Sequence, residues 1–103
     1  MSGVDVPKIL KALGNKTRLQ ILQWLKDPEA NFPPHTELGH FDYGVCVTYI
    51  QKKAQLSQSA ISHYLAILND AGLVMATRVG KWTYYKRNEE AITAFVEGLR
   101  ERL

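Results

Sequence analysis

Four uncharged hydrogen-bonding side chains, Gln58, Ser59, Ser62 and His63, fall at i, i+1, i+4 and i+5 within the stretch LSQSAISHYLAILNDAGLV at residues 56–74. On a helix this spacing gathers them on one face, while Ile61, Leu65 and Leu68 recur on the other. Such a face suits a surface that presents donors and acceptors. Glutamine can pair with N6 and N7 of an adenine in a DNA major groove, serine can donate or accept, and histidine can reach a base edge or a phosphate. The plainer alternative is a solvated helix surface, with His63 making only a local hydrogen bond.

Catalytic chemistry finds fewer parts. Cys46, the one cysteine, would nominally form a thiol triad with His35, His40 or His63 and an acid. No oxyanion or substrate-pocket motif accompanies it, so no enzyme is expected. A soft metal wants two or more thiolates, which one cysteine per chain supplies only across a dimer axis. His35, His40 and Asp42 precede Cys46 in a spacing that matches no specific metal pattern, and the expectation is no metal and no cofactor. Cys46 is left as either a small buried side chain or a thiol switch, because a helix N-terminus lowers a thiol pKa.

Composition bounds the setting. At 103 residues the chain is expected to form one domain, residues 1–103, small enough for a partner subunit to supply part of its stability. A lone cysteine excludes an intrachain disulfide framework and fits a reducing compartment. No run approaches the roughly 18 apolar residues of a membrane span, so a cytoplasmic protein without a membrane partner is expected. The net charge of +3 is unevenly laid out. Residues 1–26 carry Lys8, Lys11, Lys16, Arg18 and Lys26 against Asp5, and residues 71–88 carry Arg78, Lys81, Lys86 and Arg87 against no acid. Residues 27–44 carry Asp27, Glu29, Glu37 and Asp42 against no lysine or arginine. Two basic blocks flanking a polar helix suit a polyanion.

The elements that must position these groups follow from periodicity. Val6, Ile9, Leu10 and Leu13 mark a first helix ended by Gly14. Asn15 caps a second, with Leu19, Ile21, Leu22 and Leu25, which stops at Asp27-Pro28. Residues 28–44 read as a long acidic connection broken by prolines and glycines. A third helix is predicted from about Val45 to Ala54. Ser57 caps a fourth, ending near Gly72, and the pair reads as helix-turn-helix. Strand-favouring residues around Arg78-Val79-Gly80-Lys81 predict a hairpin, with Trp82, Tyr84 and Tyr85 packing alternately on the core. Asn88 starts a last helix with the stripe Ile92, Phe95, Val96, Leu99 and Leu103.

That order is a winged helix-turn-helix, mainly α with a β-hairpin wing. LGNKTRLQILQWL resembles the opening signature of ArsR/SmtB-type bacterial repressors, LSQSAISHYLAILNDAGLV is similar to their recognition-helix segment, and GKWTYYK resembles their wing. The resemblance implies a transcriptional regulator, a repressor by family expectation, that binds double-stranded DNA as a homodimer through its first and last helices. The recognition helix would span about 57–70 and the wing about 73–87. Expected at the DNA are Gln58, Ser59, Ser62 and His63, with Arg78, Lys81, Lys16 and Arg18 supplying positive charge. Expected at the dimer axis are Val6, Ile9, Leu10, Leu13, Ile92, Phe95, Val96 and Leu99.

Of one familiar family metal site, a Cys-x-Cys motif, the chain keeps Cys46 but has Thr48 in the second place. Its last helix has no histidine for the other. A small-molecule or thiol-reactive effector is therefore favoured over a metal. The rival reading is a winged-helix module that binds protein and not DNA.

Overall fold

The computed structural model of the chain describes residues 4–103. Helix α1 (Val6–Leu13) is capped by Asp5, whose carboxylate accepts from Lys8 N, and carries a proline in its first turn, where the missing N–H costs nothing. Asn15 caps α2 (Lys16–Lys26), its side-chain oxygen accepting from both Thr17 N and Arg18 N at 3.0 Å.

Asp27-Pro28 does more than stop α2. Asp27 accepts from Ala30 N and Pro28 opens a further turn of helix, α3 (Pro28–Asn31). The acidic connection is thus partly structured, with Phe32 and His35 both buried. The reason is that Asp followed by Pro is a start signal as much as a stop signal.

The expected third helix from Val45 is corrected as well. Val45–Cys46 is a short strand, β1, and the helix, α4 (Val47–Ala54), begins after it. Gly44, at φ +92, turns the chain into β1 so closely that a Cβ there would lie 2.0 Å from the Tyr85 carbonyl oxygen. Gln55, in the left-handed region at φ 55, ends α4 and makes the tight turn to α5 (Gln58–Asp70).

Strands β2 (Val74–Val79) and β3 (Trp82–Arg87) form the hairpin, and β1 pairs antiparallel with β3 through Val45↔Tyr85 and Cys46↔Tyr84. The sheet order is β1-β3-β2. Helix α6 (Glu89–Arg102) is capped by Asn88 and packs on α1. Arg87 fastens the junction, donating to the Leu22 carbonyl at 3.2 Å and to both carboxylate oxygens of Glu89.

Ile21 from α2, Ile50 from α4, Ile61, Leu65 and Leu68 from α5, and Leu73 just beyond it are all fully buried. Burying each such side chain contributes about 1.5–3 kcal/mol, enough to fix which face of α5 turns inward.

Candidate nucleic-acid interface

Helix α5 starts where the Ser57 hydroxyl accepts from Ala60 N at 3.1 Å. Because Ile61, Leu65 and Leu68 point into the core, Gln58, Ser59, Ser62 and His63 are all exposed. The polar face expected from spacing is a real surface, with no acid on it before Asp70 at the helix end. The Asp70 carboxylate pairs with the Lys8 ammonium at 3.5 Å. The His63 ring lies 6.1 Å from that of Tyr64. Ala66 and Asn69, also exposed, extend the surface toward Asp70 and form a shallow groove with His63 and Ile67. Sequence reasoning passed over them, although Ala66 and Asn69 follow Ser62 at the same i, i+4, i+7 spacing.

The hairpin closes through the Val79↔Trp82 pair, leaving Gly80 and Lys81 as its turn, with Gly80 at φ +61. Arg78 and Lys81 are exposed beside it. The Arg78 Nε donates to the Gly80 carbonyl at 3.2 Å, and the Lys81 ammonium lies 5.2 Å from the Trp82 ring centre. The other two cations of this basic block are held by the fold: Lys86 donates to the Asp42 carbonyl, and Arg87 is anchored to Leu22 and Glu89.

Lys16 is exposed at the start of α2. Arg18 is placed otherwise than expected for a side chain waiting for phosphate. Its Nε donates to the Ala12 carbonyl at 2.6 Å and its second terminal nitrogen to the Lys11 carbonyl at 3.4 Å. Its guanidinium lies 5.3 Å from the Tyr64 ring centre. The Lys11 carbonyl also accepts from Gly14 N, and a cation at these C-terminal carbonyls complements the helix macrodipole, so Arg18 ties α1 to α2 and α5. Sequence reasoning also passed over Lys52 and Lys53, adjacent exposed cations in the last turn of α4.

The stripes of α1 and α6 are divided. Val6, Ile9 and Phe95 are buried within the chain, Ile9 to 1% exposure, so they have almost no surface to give a partner. Leu13, Ile92 and Leu99 are half-buried, whereas Leu10 and Val96 stay 47% and 46% exposed. This division follows from α1 lying on α6, where a Cβ at Gly98 would sit 3.2 Å from a Val6 methyl.

Cys46 is also inside, 1% exposed on β1 opposite Tyr84, which leaves a thiol reagent no approach in the folded chain. His35 and His40 are not gathered with it into a ligand set. His35 is turned in against Tyr49, Trp82 and Tyr84, while His40 is exposed beside Asp42.

A model of bacterial regulatory proteins of the arsR family matches residues 45–76, which span β1, α4, α5 and the first residues of β2. The chain is 49% identical over 96 residues to an HTH-type transcriptional regulator, YbzH, of Bacillus subtilis (strain 168), covering 93% of this chain and 96% of that protein. It is 33% identical to a putative arsenical resistance operon repressor, ArsR2, of Halobacterium salinarum, covering 90% of this chain and 69% of that one. Among solved structures, an ArsR family transcriptional regulator superposes with a TM-score of 0.69 at 20% identity, covering 93% of this chain and 84% of the other, a likeness of fold. Reduced HlyU from Vibrio cholerae superposes with a TM-score of 0.60 at 28% identity, over 86% of this chain and 80% of that one.

Proposed function

The chain belongs to the arsR family of bacterial regulatory proteins and is a DNA-binding transcriptional regulator, and on that premise we propose that it represses transcription as a homodimer on an imperfectly palindromic operator. The whole chain acts as one winged helix-turn-helix unit in the cytoplasm and works by binding, not catalysis. Among the described residues no helix is long and apolar enough to cross a membrane.

The observation that carries this reading is α5, 13 residues long, with Gln58, Ser59, Ser62 and His63 exposed opposite three fully buried side chains. At 1.5 Å per residue it is roughly 20 Å long and fits a major groove about 12 Å wide. Those four residues read base edges, and Arg78, Lys81 and Lys16 meet phosphates. Leu10 and Val96, with the half-buried Leu13, Ile92 and Leu99, supply the dimer contact. A dyad through them sets half-sites about one helical turn, roughly 34 Å, apart.

Fluorescence anisotropy against DNA from upstream of the protein's own gene, with random DNA as competitor over a salt series, tests the reading. Two chains per operator and binding that survives competitor are expected. Gln58→Ala or Ser62→Ala relaxes preference at particular base pairs, while Arg78→Ala weakens binding to all sequences alike and flattens the salt dependence. Equal losses on specific and random DNA from both kinds of variant would overturn the division of roles.

A further inference from the structure

We propose that the open groove between α3 and α4 binds a small planar organic anion, an aromatic carboxylate, and that its occupancy reaches the wing through Tyr49 and His35. The groove measures about 450 Å³ and is lined by Asn31, Phe32, Pro33, Tyr49, Lys52 and Lys53. That is within the usual range for small-molecule sites, which combine apolar walls with a few placed polar groups. Here the walls are two aromatic rings and a proline, which suit a flat apolar body.

The charge is one-sided: among the described residues two lysines and no carboxylate line the groove, and neither lysine is in an ion pair. Lys53 is also positioned, its ammonium 5.3 Å from the Trp24 ring centre and 5.7 Å from that of Phe32. The Asn31 amide is committed to the backbone, donating to the Trp24 and Asp27 carbonyls. The lysines are therefore the groups that would select an anion.

The route outward is a run of packed rings. Tyr49 meets His35 at 5.3 Å between ring centres, and His35 meets Trp82 at 4.7 Å and Tyr84 at 5.5 Å. Trp82 adjoins Lys81 in the hairpin turn, and its indole N–H is buried with no acceptor among the described residues. A buried donor is costly to leave unpaired, so the indole has reason to move when the rings packed around it move. A ligand that shifts Tyr49 is thereby felt at His35 and at Trp82.

The coupling to DNA rests on the function proposed above, whereas the site itself does not. Isothermal titration of the full chain with 2-naphthoate, beside neutral 2-naphthalenemethanol, tests the site. One saturable site per chain is expected, weakened roughly tenfold or more in the Lys52→Gln, Lys53→Gln double variant and for the neutral alcohol. The Lys52→Arg, Lys53→Arg variant should keep it. No saturable binding, or binding undiminished without the lysine charges, overturns the site. So does a glutamine variant whose only change is a shallower salt dependence on DNA, which would assign the lysines to phosphates.

Anisotropy with operator DNA tests the coupling: 2-naphthoate should change the affinity of the wild type and not that of His35→Phe, which leaves the groove lining intact. An unchanged DNA affinity with the groove saturated overturns the coupling. A chain that binds no operator at all overturns the proposed function and leaves the titration to decide the site.

Discussion

The phenol of Tyr84 lies 3.1 Å from Nδ1 of His35, a buried hydrogen bond between residues 49 positions apart. It joins the second strand of the wing to the acidic connection and closes the ring cluster with Tyr49 and Trp82. Tyr84→Phe keeps the ring and removes the bond, and should cost about 1 kcal/mol. For a domain of this size that lowers Tm by roughly 4–8 °C. His35→Ala also removes three ring contacts and should cost more, about 2–3 kcal/mol. Thermal unfolding followed by circular dichroism checks both; a Tyr84→Phe variant as stable as the wild type would mean that the bond contributes nothing.

The same phenol sets an alkaline limit. Burial, with Cys46, Glu37 and Tyr49 nearby adding to it, holds Tyr84 above the usual tyrosine range. The unfolded chain releases that proton near its ordinary value, about 10, while the fold still retains it. Stability from this source is complete below about 10 and lost as pH rises. At the acid end the sign reverses: the hydrogen bond from Arg87 holds Glu89 below its usual range, so its contribution is present above that range and lost as pH falls. Urea midpoints across pH should show both limbs, with Tyr84→Phe flattening the alkaline one and Glu89→Gln the acid one.

Arg18 and Lys81 should separate stability from DNA affinity. Arg18 holds the Ala12 and Lys11 carbonyls, so Arg18→Gln should cost roughly 1–2 kcal/mol of folding stability and leave the salt slope of DNA binding unchanged. Lys81→Gln loses only an exposed contact with the Trp82 ring, so it should cost less stability than Arg18→Gln and lower that slope by about 1. Denaturation and salt titration of the two variants, run in parallel, make the comparison; a shallower slope for Arg18→Gln would return Arg18 to the DNA surface.

What the sequence disclosed depended on how local its cause was. Ser57, Ile61, Leu65, Leu68 and Gly72 mark α5 within one stretch of chain, and the helix lies where they put it. Strand β1 is two residues whose conformation is set by Tyr84 and Tyr85, about forty positions on, so no window around Val45 contains the reason. Asp27-Pro28 carries signals to end one helix and begin another, and only the packing of Phe32 shows that both are used. The stripes of α1 and α6 were read correctly as apolar, but which members face inward depends on how α1 meets α6 at Gly98. The bonds from Arg18 to Ala12 and Lys11 have no local signal, because those carbonyls belong to another helix.

Gly44 and Gly72 both have positive φ and should respond very differently to alanine. At Gly72, φ +79, a Cβ meets nothing within 4 Å, so Gly72→Ala should cost only the left-handed backbone, about 1 kcal/mol. At Gly44 the same Cβ strikes Tyr85 backbone as close as 2.0 Å. Gly44→Ala should add the separation of β1 from β3 and cost about 3 kcal/mol or more. Urea denaturation with amide exchange at Cys46 and Tyr85 checks this; equal costs would mean that the β1 pairing is dispensable.

The proposed dimer contact can be tested without disturbing the monomer core, because the stripes divide into buried and exposed members. Leu10→Glu with Val96→Glu places charges on side chains that are 47% and 46% exposed, so the fold of each chain should survive. In a dimer those charges would be desolvated beside like charges, so sedimentation should show monomers at concentrations where the wild type is paired. DNA affinity should then fall steeply, since each recognition helix would bind a half-site alone. Ile9→Ala, at 1% exposure, should instead lower stability by roughly 2–5 kcal/mol. A double glutamate variant that still sediments as a dimer would move the interface elsewhere, and the exposed Leu19 and Met75 would be the next residues to charge.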